Sequence, residues 1–263
     1  MTDRDDDAAA PSNGDVEAGR PDGAPRDPNA AGPYEAVYAY PDGDATASRY
    51  AKTAREYGFD GVVVRSRGSE FDAAALRGRY DVDVVPAVEV DADEPTSASG
   101  AVGNFRPEFP VVLVRGGTDA LNRFAVEQDR VDVLARPMDG DGDVNHVLAN
   151  AAREHGTRIE FDLGPALRAT GGGRVQALKG LRKLREIVAA CEAPYVVSAT
   201  PRSHLQVRSP RELVAVGERL GFDAAWLRDG LAEWGRVAAR NRDRMSEEFI
   251  SPGVRRGRYE EDG

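Results

Sequence analysis

Short apolar runs alternate with amphipathic helical patterns along this chain of 263 residues, and the alternation limits the folds it can adopt. Eight runs predict strands, the last being the weakest: 36–40, 61–64, 84–90, 111–114, 131–135, 158–163, 194–198 and 223–227. Helical spacing falls between them, at about 46–57, 71–78, 118–128, 144–155, 174–190, 210–220 and 229–244. Such alternation predicts a parallel sheet covered by helices. Eight repeats at this length favour a TIM-barrel-like (β/α) barrel, with an irregular or seven-stranded barrel as the alternative.

Two local patterns define the ends of elements. The sequence Ser209-Pro210-Arg211-Glu212 combines an N-cap serine, a proline at the first helical position and a glutamate at N3. This capping box predicts a helix that begins at Pro210. The long polar stretch 91–110 is predicted to be an inserted loop.

The charges divide the chain into parts of different character. Residues 1–32 hold eight acidic side chains, three arginines and no aromatic residue, so we expect a disordered acidic tail. Residues 33–263 are expected to form a single TIM-barrel-like domain. Its C-terminal third is basic, because 174–258 carry 17 basic and 10 acidic side chains while 33–173 carry 15 and 24.

The formal net charge of -10 tells more about the habitat of the source organism than about a binding partner. Only three of the 35 basic residues are lysines, and the acidic residues lean toward Asp. This bias is typical of a salt-loving archaeon, in which a carboxylate-rich surface stays hydrated in concentrated salt. The local distribution of charge is therefore the better guide to partners.

Neither secretion nor membrane insertion is expected. No apolar stretch approaches the ~20 residues of a spanning helix, and Thr-Asp-Arg-Asp follows Met1 where a signal sequence would be basic and then apolar. The single cysteine, Cys191, cannot form an internal disulfide or a thiolate metal cluster. A reducing cytoplasm is the expected location.

Patterns for catalysis are weak throughout the sequence. His146, His155 and His204 show no metal-ligand spacing, and the acidic loop 139–143 fails the calcium pattern because Asn150 stands where a glutamate is required. The nucleophile motif Gly-x-Ser-x-Gly does not occur, and the glycines 171–173 lack the Lys-Ser/Thr of a phosphate loop. We therefore expect no catalytic residue and no metal bound by the protein.

Arginines follow several predicted strands, and a parallel barrel gathers strand ends at one mouth. They are Arg65, Arg67, Arg115, Arg136 and Arg202. Guanidinium groups match phosphate in a bidentate way and stay charged at any relevant pH. The mouth is thus predicted to bind anions, with structural ion pairs to acids such as Glu89 or Asp162 as the alternative for each arginine.

A series of landmarks runs from Val133 to Gly221. They are Arg136-Pro137, Asn145-His146-Val147-Leu148-Ala149, Ile159-Glu160-Phe161-Asp162-Leu163, the helix from Arg174 to Val188, Ala193-Pro194-Tyr195-Val196-Val197-Ser198-Ala199 and Val207-Arg208-Ser209-Pro210-Arg211-Glu212-Leu213. Tyr57-Gly58-Phe59-Asp60-Gly61 adds to them. In order and spacing these landmarks resemble the archaeal and eukaryotic ribonuclease P protein component 3 family. The resemblance covers roughly residues 34–244.

The resemblance implies a TIM-barrel-like subunit of the ribonucleoprotein endonuclease that removes 5′ leaders from precursor tRNA. In that enzyme the RNA hydrolyses the phosphodiester with Mg²⁺, so this chain alone is expected to be non-catalytic. It is expected to pair with ribonuclease P protein component 2 and to support the catalytic domain of the RNA. Two other classes stay open. One is a metal-dependent phosphoesterase on the same fold, and the other is a sugar-phosphate-binding barrel enzyme with Glu89, Glu160 or Asp162 as base.

Nine residues are predicted to contact RNA. Six belong to the barrel mouth, namely Arg65, Arg67, Arg115, Arg136, His146 and Arg202, and three to helices, namely Lys179, Arg182 and Arg211. In molar salt the electrostatic part of RNA affinity is nearly exhausted. Shape fit and protein partners are therefore expected to contribute more than they do in low-salt relatives.

Overall fold

Seven parallel strands form the centre of the molecule in a computed structural model that describes residues 32–246, 249–251 and 254–255. They pair in sequence order: β1 Tyr34–Val37, β2 Gly61–Val64, β3 Asp83–Val90, β4 Val111–Arg115, β5 Val133–Ala135, β6 Arg158–Asp162 and β7 Tyr195–Ser198. The TIM-barrel-like class is confirmed, in its irregular seven-stranded form. The predicted acidic tail lies almost wholly outside the described residues.

Helices follow the strands and cover the sheet. They are α1 Ala47–Tyr57, α2 Ala73–Tyr80, α3 Pro95–Phe105, α4 Asp119–Val126, α5 His146–His155, α6 Gly164–Arg168, α7 Gly171–Cys191, α8 Pro210–Arg219 and α9 Ala224–Met245. A short 3-10 helix spans His204–Gln206, and β8 Phe249–Ser251 pairs antiparallel with β9 Val254–Arg255. The predicted capping box starts α8, with Ser209 and Glu212 bonded to each other's backbone N–H. Within the described residues, no helix is both long and apolar enough to cross a membrane.

Two sequence predictions about elements are wrong. The weak strand 223–227 is the start of α9, where the Asp223 side chain accepts a hydrogen bond from the Trp226 backbone N–H. The stretch 91–110 holds helix α3, which begins at Pro95 and buries Ala98 and Val102. These two small side chains, four residues apart, give too narrow an apolar stripe to stand out from the polar residues around them.

Helix α9 closes the barrel at the position of an eighth strand. No strand ladder joins β1 to β7 among the described residues. Instead α9 packs against both strands, with Gly230 against Val197 and Tyr195. The indole Nε1 of Trp234 donates to the carbonyl of Val197 at 2.9 Å, which satisfies a buried strand-edge acceptor. Trp234 also fills the barrel interior among inward-facing strand residues such as Val63 and Leu113.

The last turns of α9 are held at the amino ends of the strands. Asn241 Nδ2 donates to Asp132 at 2.6 Å and to the carbonyl of Pro110 at 2.8 Å, and Arg242 pairs with Asp83 at 2.7 Å. Arg240 pairs with Asp132 at 3.3 Å. Part of the basic charge of the C-terminal third is thus paired with acidic side chains of the same fold.

Glu35 connects β1 with β7, the two strands that no ladder joins. Its Oε1 accepts hydrogen bonds from Ser198 Oγ at 2.6 Å and from the Ala199 backbone N–H at 2.9 Å, so a side chain of β1 binds the end of β7. Its Oε2 has no hydrogen-bond partner among the described residues. Burial raises the pKa of Glu35 to about 7, because ionisation there lacks solvation.

Replacing Trp234 with alanine should lower the free energy of unfolding by about 3–5 kcal/mol, the usual cost for a large buried aromatic residue. Trp234→Phe keeps most of the packing and removes the hydrogen bond to Val197, so its loss should be smaller, about 1–3 kcal/mol. Urea unfolding at constant high salt measures both. If Trp234→Ala costs less than about 1 kcal/mol, α9 does not close the barrel.

Glu35 should make stability depend on pH. Its pKa is about 7 in the folded state and about 4.5 in the unfolded state. Between these pH values the folded chain holds a proton that the unfolded chain has released. Its stabilising contribution is full below pH 4.5 and is lost as the pH rises through 7, by about 3 kcal/mol in total. Glu35→Gln cannot titrate and should flatten this part of the profile. The free energy of unfolding at pH 5 and pH 8 measures it, and an unchanged slope in the variant would refute the assignment.

Candidate nucleic-acid interface

Arg65 lies inside the barrel and does not reach the surface. The alternation of β2 turns it inward like Val63, and its side chain is fully buried. Its NH1 donates to Glu160 on β6 at 2.5 Å, and its Nε donates to Glu89 on β3 at 2.8 Å. The prediction that Arg65 contacts RNA is therefore wrong, and the alternative of a structural ion pair holds for this residue.

The two glutamates hold Arg65 in its charged form. Burial acts against the charge, but Glu160 and Glu89 outweigh it and raise the pKa of Arg65 well above its ordinary value. For Glu89, burial is likewise outweighed, and the Arg65 guanidinium holds its pKa below the usual range. For Glu160, burial dominates and raises its pKa. The trio is a buried charge network that connects three strands across the barrel.

Tyr38 covers this network on the side of the mouth. Its hydroxyl donates to Glu89 at 2.7 Å, and burial raises the pKa of this hydroxyl so that it stays protonated. The guanidinium of Arg202 lies 4.1 Å from the centre of its ring, and that of Arg136 lies 5.4 Å away. Because the face of an aromatic ring attracts cations, Tyr38 gathers two mouth arginines. No role for Tyr38 is predicted from the sequence, although its position at the end of β1 could have indicated one.

Arg136 stands at the carboxyl end of β5 in a strained conformation. Its φ of 47° lies in the left-handed region, which is costly for a residue with a side chain. Its guanidinium makes no hydrogen bond among the described residues, and its nearest carboxylate oxygens, on Asp139 and Asp162, are each 3.8 Å away. Arg136 is thus held by charge and by Tyr38, while its donors stay available.

Asp162 at the end of β6 is only partly satisfied. Its Oδ1 accepts hydrogen bonds from Thr200 Oγ1 at 2.8 Å and from the Gly164 backbone N–H at 2.7 Å. Its Oδ2 has no hydrogen-bond donor among the described residues and faces the Nε of Arg136. Thr200 also has a left-handed φ, of 43°. Two strained residues therefore flank Asp162 at the mouth.

The other predicted arginines of the mouth differ in what they contact. Arg202 is exposed and donates to the carbonyl of Asp42 at 2.7 Å. Arg115 pairs with Asp91 at 3.0 Å and is one-third exposed. Arg67 is exposed, but its guanidinium lies 5.0 Å from the ring of Phe105 in the outer helical layer. Contact with RNA remains a prediction for all three and for Arg136.

Two of the four helical members of the predicted set, His146 and Arg211, lie at helix starts on the side of the mouth. His146 opens α5 and Arg211 is in the first turn of α8, and helices in this fold begin where strands end. Lys179 and Arg182 are on α7. All four side chains are exposed and, in the described part of the chain, none has an ion pair. Eight of the nine predicted side chains are thus accessible. Among all residues that the structure describes, no group of three His, Cys, Asp or Glu side chains is arranged to hold a metal.

Removing Arg65 should destabilise the barrel in a pH-dependent way. Arg65→Met leaves Glu89 and Glu160 buried without a counter-charge, which costs about 3–5 kcal/mol. Both carboxylates then have folded pKa values above their unfolded ones, so the loss should grow as the pH rises. The control combines Arg65→Met with Glu89→Gln and Glu160→Gln and should show little of this slope. Urea unfolding between pH 5 and 8 measures it, and a profile no steeper in the single variant than in the natural chain would contradict the network.

Comparison with known proteins identifies the relatives of this chain. The family model described as RNase P subunit p30 matches residues 26–246. Ribonuclease P protein component 3 of Halorubrum lacusprofundi is 63% identical over 240 residues, which are 88% of this chain and 100% of that protein. The protein of the same name from Haloarcula marismortui is 58% identical over 225 residues, 84% of this chain and 96% of its own length. Both organisms are halophilic archaea, which agrees with the lysine-poor, acidic composition of this chain.

A solved structure has the same fold. One chain of the cryo-EM structure of archaeal ribonuclease P with mature tRNA superposes with a TM-score of 0.74, at 22% identity, over 87% of this chain and 100% of that chain. The irregular barrel is therefore an established architecture. Because the family model matches most of the barrel and relatives are more than half identical along it, the chain belongs to the RNase P subunit p30 family.

Proposed function

We propose that this chain is a protein subunit of ribonuclease P and acts by binding the RNA of that enzyme. The main support for this function is the match of the whole barrel to ribonuclease P subunits, at up to 63% identity in the relatives described above. The geometry supports it, since the mouth offers accessible guanidinium groups. Hydrolysis of precursor tRNA at its 5′ leader is assigned to the RNA subunit with Mg²⁺.

The chemistry of the mouth favours binding over catalysis by this chain. Glu89 and Glu160, two of the candidate bases, are occupied by Arg65. Asp162 is held by Thr200 and Gly164 through one oxygen. The alternatives of a phosphoesterase and of a sugar-phosphate enzyme are therefore weaker. Component 2 is the proposed protein partner, and the cytoplasm is the proposed location, since precursor tRNA is the substrate of the complex.

A tagged chain isolated from its native cells at their own salt concentration tests this function. We expect it to retain one structured RNA, further ribonuclease P proteins and the ability to cleave precursor tRNA when Mg²⁺ is present. The control is the same preparation after nuclease digestion, which should lose cleavage while keeping the protein intact. A clean protein that retains no RNA would contradict the proposal.

Two mouth arginines should contribute to RNA affinity. Replacing Arg115 and Arg202 by alanine removes two cations that lie at the strand ends, and each charged hydrogen bond is worth about 1.5–3 kcal/mol. We expect affinity for ribonuclease P RNA to fall at least tenfold, and the salt dependence to become shallower by about one to two units of slope. Filter binding across a range of KCl concentrations measures both quantities.

The matched control replaces two arginines at the opposite end of the molecule. Arg55 and Arg79 lie in the last turns of α1 and α2, which end near the amino ends of the strands. Their alanine variants should bind RNA like the natural chain. Equal losses in both pairs would mean that the mouth has no special role, provided that the thermal melts of all variants are unchanged.

A further inference from the structure

A cleft of about 650 Å³ opens at the mouth beside Arg136, between the loop after β5 and helix α7. Sites for small ligands usually measure about 300–1,000 Å³ and combine apolar walls with a few polar groups. Pro137, Met138 and Leu181 supply apolar wall in this cleft. The cleft therefore has the size and lining of a binding site.

The deep part of the cleft holds unpaired polar groups. Asp162 is 9% exposed and Arg136 is 16% exposed, and both line the cleft. The Nε of Arg136 and the Oδ2 of Asp162 are buried, face each other at 3.8 Å and have no hydrogen-bond partner in the described part of the chain. This contact is too long for a hydrogen bond, so both groups keep hydrogen-bonding capacity for a ligand that enters the cleft.

The charges of the cleft are divided between its depth and its rim. Glu160 is paired with Arg65, and Asp143 is paired with Lys183. Lys179 lines the cleft from the exposed face of α7 and has no ion pair among the described residues. A phosphate would be repelled by the carboxylates in the depth. An anionic ligand group is therefore expected at the rim beside Lys179, and a neutral polar group is expected below it.

We propose that this cleft holds one unstacked nucleotide of ribonuclease P RNA, with its base against the apolar wall and its phosphate beside Lys179. The edge of a base carries acceptors next to donors, which suits Arg136 and Asp162 together. Proteins recognise RNA sequence chiefly through such splayed, unpaired bases. The inference rests on the proposed function and adds a specific pocket to it.

Site-directed crosslinking of the assembled chain and RNA, in molar KCl, locates this nucleotide. A short photo-crosslinker is attached at Gln176→Cys in the cleft lining, and the control carries it at Glu186→Cys, exposed on the same helix outside that lining. The natural Cys191 is buried, and the unsubstituted chain controls for its labelling. We expect crosslinks from position 176 at one or two adjacent nucleotides that position 186 does not reach.

Variants of the cleft should release the same nucleotide. In Asp162→Asn and Lys179→Ala we expect its chemical reactivity in RNA probing to rise several-fold while the rest of the footprint stays unchanged. Gly180→Leu should act alike, because Gly180 lines the cleft and faces Met138, so that a larger side chain there fills the space without removing a charge. Lys52→Ala is the matched control, an exposed lysine on α1.

The outcomes separate this inference from the proposed function. If RNA binds normally but crosslinks from position 176 scatter, or the variants leave every nucleotide protected, the cleft does not hold RNA. If RNA fails to bind at all, the proposed function is wrong as well. Titration of the full chain with the four nucleoside 5′-monophosphates tests the other source of the same chemistry. Tight binding of a free nucleotide without an RNA crosslink would assign the cleft to a small molecule.

Discussion

The ion pairs of Arg65 inside the barrel are the interaction on which the mouth depends. A fully buried guanidinium bonds glutamates from β3 and β6, so three strands are connected through one charge. Buried charges are tolerated only when they are paired and hydrogen-bonded. Tyr38 bonds the same Glu89 and in turn places its ring beneath Arg136 and Arg202. The position of the accessible arginines therefore follows from the buried one.

The two ends of the barrel use arginine for different purposes. At the amino ends of the strands, Arg240 and Arg242 of α9 are paired with Asp132 and Asp83 and hold the closing helix in place. At the carboxyl ends, Arg136 and Arg202 have mainly aromatic contacts, distant carboxylates or a single carbonyl. The first arrangement stabilises the fold, and the second leaves donors available for a partner. Net charge alone could not distinguish them.

Seven strands could be predicted because their apolar runs are buried on both faces. Helix α3 could not, since only Ala98 and Val102 of its polar sequence are buried, and the run at 223–227 was ambiguous because the first turn of a long helix is as apolar as a short strand. The inward direction of Arg65 was not readable, because Val62, Val63 and Val64 are apolar on both faces of β2 and do not show which face points into the barrel. The left-handed backbone of Arg136 and the hydrogen bonds of Glu35 between β1 and β7 were not readable either, because both depend on contacts between distant segments.

The proposed function requires RNA to bind at the carboxyl end of the barrel. Ultraviolet crosslinking of the native ribonucleoprotein, followed by mass spectrometry of the crosslinked peptides, tests it directly. Binding at this end should give crosslinks in the loops after β5 and β7 and in the first half of α7. Crosslinks confined to the second half of α9 and the last turns of α1 and α2 would contradict it, because these segments lie at the amino ends of the strands.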